Sequence, residues 1–183
     1  NSRKHASESA LGTMVCEGLQ SKPDARVLIG GLGMGFTLAS ALEALGPDAE
    51  VTVAELLPDV IEWNRGELGD CAGRPLEDPR VRVYEGDVAD LLRDRPASWD
   101  GIALDEDNGP EGLTQDENDW LYGPRGLAAV RQALRPGGRV GFWSAHPDRA
   151  FPKRLANCGF TVEERRVYAH GRKGTRHTLW FGT

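Results

Sequence analysis

Arg26-Val27-Leu28-Ile29-Gly30-Gly31-Leu32-Gly33-Met34-Gly35 is an apolar, β-branched run that stops abruptly in a glycine-rich turn. A second apolar run, Val51-Thr52-Val53-Ala54, ends in Glu55, 20 residues after Gly35. The pairing is the sequence form of a nucleoside site at the carboxyl edge of a parallel sheet. Glycines 31, 33 and 35 carry no Cβ, so backbone and ligand can approach closely there. An acid at the tip of the next strand can accept both hydroxyls of a ribose.

Outward from this core, strands and helices alternate. Ala10, Leu11, Met14, Val15 and Leu19 have helical spacing, which predicts a helix over 7–19 with Ser7 as its N-cap. Strands are expected at 25–30, 50–55, 80–84, 101–104 and 139–144. Helices are expected at 36–45 (stopped by Gly46-Pro47), 58–68, 88–93, 119–134 and 151–157. The run 119–134 reads as one long helix closed by Arg135-Pro136-Gly137-Gly138. Two last strands, 160–167 and 177–181, have no helix between them, only a turn at 171–174, so the last should run antiparallel. The expected fold is α/β: a doubly wound, Rossmann-like sheet of seven strands, mostly parallel, with a C-terminal antiparallel hairpin. One domain spanning 1–183 is expected, with 1–22 a helical lead-in.

The bulk numbers agree with that reading. The 183 residues are 39% hydrophobic and 27% charged, as in a globular soluble chain, and suit a single sizeable core. No apolar run approaches the roughly 20 residues needed to span a bilayer. A net charge of −6 argues against general nucleic-acid binding. Charge is nevertheless uneven. Seven acids and no Lys or Arg lie between Asp105 and Asp119, a block able to attract a cationic substrate, while eight bases face three acids from Asp148 to Arg176. Cys16, Cys71 and Cys158 are odd in number and far apart, with no C-x-x-C, and read as reduced packing thiols of a cytoplasmic protein. The chain opens at Asn1 rather than Met, so a truncated or processed chain is expected.

The glycine pattern separates the candidate nucleosides. A G-x-G-x-x-G dinucleotide fingerprint starting at Gly31 would need Gly at 36, where Phe36 stands. The pattern Gly31, Gly33, Gly35 is G-x-G-x-G and looks like motif I of S-adenosylmethionine-dependent enzymes. Glu85-Gly86-Asp87-Val88 ends the third strand, where Asp87 can accept an adenine amino group and the Val88 backbone can donate. Leu134-Arg135-Pro136-Gly137-Gly138 looks like the turn before strand five in the class I S-adenosylmethionine-dependent transferases, a superfamily this chain resembles over nearly its whole length.

Within that superfamily the sequence resembles the spermidine/spermine synthase family. Val51 to Glu62, with Glu55 and Leu56 at the strand tip, is similar to the family's ribose-binding strand and following helix. Asp78-Pro79-Arg80-Val81 with Gly86-Asp87 is similar to its adenine segment. Trp99-Asp100-Gly101-Ile102-Ala103-Leu104-Asp105 looks like the strand that delivers its catalytic aspartate. The resemblance implies transfer of an aminopropyl group from decarboxylated S-adenosylmethionine to a small-molecule amine, with no metal. Asp105 would be the base, since an alkylamine is protonated at pH 7 and must lose a proton before it attacks. A homodimer is implied as well. Three departures stand out. Met34 occupies the place of the acid that binds the donor's amine. Asn108 stands at the second acid of the family's D-x-x-D, leaving Asp107 as a substitute one residue early. The family's N-terminal strands have no counterpart here. S-adenosylmethionine itself is therefore kept as a co-substrate, a methyltransferase on a small acceptor as the alternative activity, and a non-catalytic homologue as the third reading.

Overall fold

Val27 and Ile29 pack into one apolar core, and Leu28, between them, packs into another. This is the period of two of an extended chain covered on both faces. The computed structural model describes residues 5–105, 118–144, 148–170 and 173–183. The chain runs through α1 (Ala6–Val15), β1 (Arg26–Gly30), α2 (Phe36–Ala44), β2 (Glu50–Glu55), α3 (Pro58–Arg65), two short 3₁₀ turns, β3 (Val81–Glu85) and α4 (Val88–Asp94). It continues through β4 (Trp99–Leu104), α5 (Asn118–Tyr122), α6 (Pro124–Ala133), β5 (Leu134–Ser144), α7 (Phe151–Asn157), β6 (Val162–His170) and β7 (Lys173–Gly182).

The seven strands form one sheet in the order β3-β2-β1-β4-β5-β7-β6. β1 to β5 are parallel; β7 is antiparallel to both β5 and β6. The expected sheet and its terminal hairpin are therefore present. Leu11 and Val15 of α1, Leu38 and Leu42 of α2 and Ile61 of α3 fill one core. Leu91 and Leu92 of α4, Leu127 and Val130 of α6 and Phe151 of α7 fill the other. Small residues set how closely α1 sits. A Cβ on Gly12 would lie 2.2 Å from Ser40 Oγ and 2.3 Å from the Thr37 carbonyl oxygen. One on Gly141 of β5 would lie 2.7 Å from Leu11 and Val15. The second half of α1 is thereby pressed onto the first half of α2 and onto β5.

Three local expectations are corrected. The helix read over 119–134 is two helices, because Pro124 lacks an N–H and restarts the helix at its own position after an extended Gly123. Leu134 to Gly138 is not a separate helix stop. Leu134 already pairs with Trp99, and the register with β4 shifts before Arg139 pairs with Gly101. Ser7 does not cap α1; it lies inside the helix, fully buried, and bonds to Glu8 Oε2 at 2.7 Å and His177 Nδ1 at 2.8 Å. A tertiary partner outcompetes the local capping geometry. Remaining boundaries move by a few residues, most at the hairpin, where both strands are longer than expected.

Candidate active site at the carboxyl edge of the sheet

Gly30, at the end of β1, pairs with Ala54 on β2 and with Leu104 on β4. Glu55 and Asp105 are the next residues on either flank. Two strand spacings separate them, about 10 Å. Val51, Val53 and Ala103 belong to the core under α1–α3, so the alternation carries both Glu55 and Asp105 to that same face. Backbone bonds of 2.9 Å lock the tips together: Gly31 N–H to Ala54 O, Gly86 N–H to Glu55 O, and Asp105 N–H to Gly30 O. The two carboxylates expected to act together do share one edge of the sheet.

Between them lies the glycine turn. Gly31, Gly33 and Gly35 have φ of 88°, 50° and 81°, the left-handed region that a Cβ disfavours. Above Gly33 there is open space, with no heavy atom within 4 Å of where a Cβ would sit. A ligand can approach the backbone there. Glu55 is 9% exposed, and each of its oxygens already accepts one backbone N–H, from Leu32 and from Leu57, both at 2.9 Å. A carboxylate oxygen has two lone pairs, so each can still take a hydroxyl proton. Leu56, the adjacent position, is 59% exposed, and Leu57 and Trp63 are also exposed.

Asp87 holds α4 by accepting the Ala89 N–H at 2.8 Å, and Val88 is buried at the start of that helix. Both stand just beyond β3, next to the β2 tip in the sheet. Asp105 accepts a hydrogen bond from the Thr37 hydroxyl. Asp107, Asn108 and His146 lie outside the described residues. His5 stacks on Phe36 with ring centroids 4.1 Å apart, Tyr122 is buried against Phe142 and Phe151, and Trp143 packs edge-on against His177.

Two contributors were not singled out in the sequence. Asn64, buried on α3, donates from Nδ2 to the Gly33 carbonyl at 2.8 Å and to Val60 O at 2.9 Å, pinning the glycine turn from below. Thr37 ties Asp105 to α2. The one sign of either is a polar residue at a position that helical spacing assigns to the buried face. Among the described residues, no group of three or more His, Cys, Asp or Glu is placed to hold a metal ion. No described helix is long and apolar enough to cross a membrane.

The strand order and terminal hairpin define the class I S-adenosylmethionine-dependent transferase fold. Within it, spermidine synthase from Thermotoga maritima aligns with a TM-score of 0.76 at 20% identity, over 96% of this chain and 59% of that one. The polyamine aminopropyltransferase of Korarchaeum cryptofilum (strain OPF8) is 32% identical over 113 residues, 62% of this chain and 33% of the relative. The ribosomal RNA small subunit methyltransferase H of Stenotrophomonas maltophilia (strain K279a) is 27% identical over 158 residues, 85% of this chain and 46% of the relative. The chain thus spans less than half the length of the curated relatives it matches. No family model matches it. The resemblance to spermidine synthases read from the sequence is met in the fold, and the relatives on both sides are transferases.

Proposed function

We propose that this chain is a spermidine synthase-like transferase that moves an aminopropyl group from decarboxylated S-adenosylmethionine to a small amine. The observation that carries this reading is the placement of Glu55 and Asp105 on the same face of adjacent-but-one strand tips, with the open glycine turn between them. Glu55 holds the ribose hydroxyls, oriented beforehand by the Leu32 and Leu57 N–H groups. Gly33 gives the donor's chain room, Gly31 and Gly35 hold the turn in its left-handed course, Leu56 borders the adenosine, and Asp87 with the Val88 backbone receives the adenine edge. Asp105 takes a proton from the substrate ammonium, and the nitrogen lone pair then attacks the carbon attached to sulfur. The C–S bonding pair leaves with the sulfur as a neutral thioether. A sulfonium is electrophilic without a Lewis acid, so the reading assigns no metal. Asp107 is kept as the second acid toward the amine, and a soluble, cytoplasmic homodimer as the working form.

A second reading is favoured by Met34, which puts a thioether where the aminopropyl donor's amine would need an acid. In this reading S-adenosylmethionine is the donor and a methyl group the cargo; the match to a methyltransferase over 85% of the chain points the same way. One experiment separates the two. The protein is incubated with decarboxylated S-adenosylmethionine and putrescine, and in parallel with S-adenosylmethionine and a panel of amines. Spermidine with methylthioadenosine supports the first reading, and S-adenosylhomocysteine the second. Calorimetry that detects neither donor binding would leave a non-catalytic homologue of the fold.

A further inference from the structure

Thr37 is 2% exposed, in the first turn of α2, and its hydroxyl faces two acceptors. One is Oδ2 of Asp105, and the other is the backbone carbonyl of Glu8 on α1, 3.2 Å away. A threonine hydroxyl carries one proton, and an ionised carboxylate is the stronger of the two acceptors. The close approach of α1 at Gly12 places the Glu8 carbonyl there. The tip of β4, the start of α2 and the start of α1 therefore meet at this one buried oxygen.

We propose that Thr37 is a positioning residue for Asp105: its hydroxyl holds the carboxylate ionised and in one orientation, ready to receive a proton from a cationic amine. This deepens the transferase reading and rests on it for the role of Asp105. A hydrogen bond donated to a carboxylate favours its charged form, and the first turn of a helix adds partial positive charge of the same effect. Once Asp105 has taken the proton, the Thr37 proton can turn to the Glu8 carbonyl, so either state of the base has a partner. Among the described residues, the titratable groups near this point include His5 and Glu8 from α1, Glu55 two strands away, and His177 of β7, which Ser7 joins to Glu8. All are retained in a Thr37 variant, so their charges cancel in the comparison.

The test uses two substitutions that divide the side chain. Thr37→Val keeps the shape and removes the hydroxyl; Thr37→Ser keeps the hydroxyl and removes the methyl. The Asp105 carboxyl is followed by carbon-13 NMR titration, its signal assigned by its loss in Asp105→Asn. Activity is followed as kcat and KM against pH. We expect the midpoint of the Asp105 titration to move to higher pH in Thr37→Val, by roughly half a pH unit or more, and to stay at the native position in Thr37→Ser. The acid limb of kcat/KM should move with it, while KM for the donor stays within about twofold. A Thr37→Val titration that superimposes on the native one, or a Thr37→Ser shift as large as that of Thr37→Val, overturns the proposal. A native protein without aminopropyl or methyl transfer, but with the expected NMR shift, would end the transferase reading and leave the Thr37–Asp105 coupling standing.

Discussion

The backbone N–H of Leu32 donates to Oε2 of Glu55 at 2.9 Å, so the glycine turn after β1 and the acid at the end of β2 form one hydrogen-bonded unit. The loop that would lie against a ligand and the carboxylate that would clasp it are held together before any ligand arrives. Preorganisation of this kind removes an ordering cost from binding.

Glu55→Gln tests that unit. The amide offers one acceptor oxygen where Leu32 and Leu57 each need one, and its NH₂ opposes the other N–H. The dissociation constant for S-adenosylmethionine or its decarboxylated form, by calorimetry, should rise about tenfold to a hundredfold, roughly 1.4–2.8 kcal/mol. Native affinity in this variant would remove Glu55 from the site.

Gly33→Ala and Gly35→Ala should separate binding from folding. Both residues have positive φ, so each variant carries the left-handed strain of about 1–2 kcal/mol. At Gly35 the new Cβ also lies 3.1 Å from Pro75 and 3.3 Å from Asn64 Oδ1, whereas at Gly33 it enters open space. Urea unfolding should therefore show Gly35→Ala as the less stable of the two. Calorimetry should show Gly33→Ala as the weaker donor binder relative to its stability, because its methyl takes the ligand's place. The reverse ranking would place the ligand elsewhere.

Asp100 sits at the opposite edge of the sheet, 2% exposed, and accepts from Lys22 Nζ, Arg135 Nη1 and the Arg26 N–H, each at 2.8 Å. Burial pushes its carboxyl upward, but the Lys22 and Arg26 hydrogen bonds and the Arg135 charge outweigh it and hold the carboxyl below its ordinary range. A depressed folded value means that the stabilisation is present above the unfolded pKa, near 4, and is lost as pH falls through the folded one. Asp100→Asn should cost about 2 kcal/mol at pH 7, since it removes the charge shared by the Arg26 N–H and two partly exposed cations. The gap between the variant and the native protein in urea should hold down to about pH 5 and narrow below about pH 4. An equal gap at pH 7 and pH 3 would contradict this account.

The three cysteines should differ sharply toward a thiol reagent. Cys71 is exposed and Cys158 half-buried, whereas burial pushes the Cys16 thiol up to about 12. The thiolate is the reacting species. In native buffer one thiol should react fast and a second more slowly, with Cys16 modified only in denaturant. Fast modification of all three would mean that α1 detaches from the sheet, which would also remove the contact between Thr37 and Glu8.

Much of the site was legible because each part ends an apolar run. Glu55 and Asp105 directly follow Val51–Ala54 and Ile102–Leu104, Asp87 comes two residues after β3 ends at Glu85, and a residue at the end of a parallel strand lies at the carboxyl edge by topology alone. The misreadings came where a local signal had a competitor. Helical spacing continues through Pro124, so periodicity alone joined α5 to α6. Ser7 has capping chemistry, but a histidine 170 residues along the chain, His177 of β7, drew its hydroxyl away from the cap.

By itself, the sequence determined the strands, the glycine turn after the first of them and the acids at the strand tips. Each depends on a period of two, a missing Cβ or a boundary between apolar and polar residues, and all of these are properties of neighbours along the chain. Only the tertiary structure decided that Thr37 meets Asp105, 68 residues away, that Asn64 pins Gly33, 31 away, and that Ser7 meets His177, 170 away. Those pairings arise from the fit of α1 and α3 against α2 and the sheet. Packing of that kind is set by the shapes of many side chains at once, and no short segment encodes it.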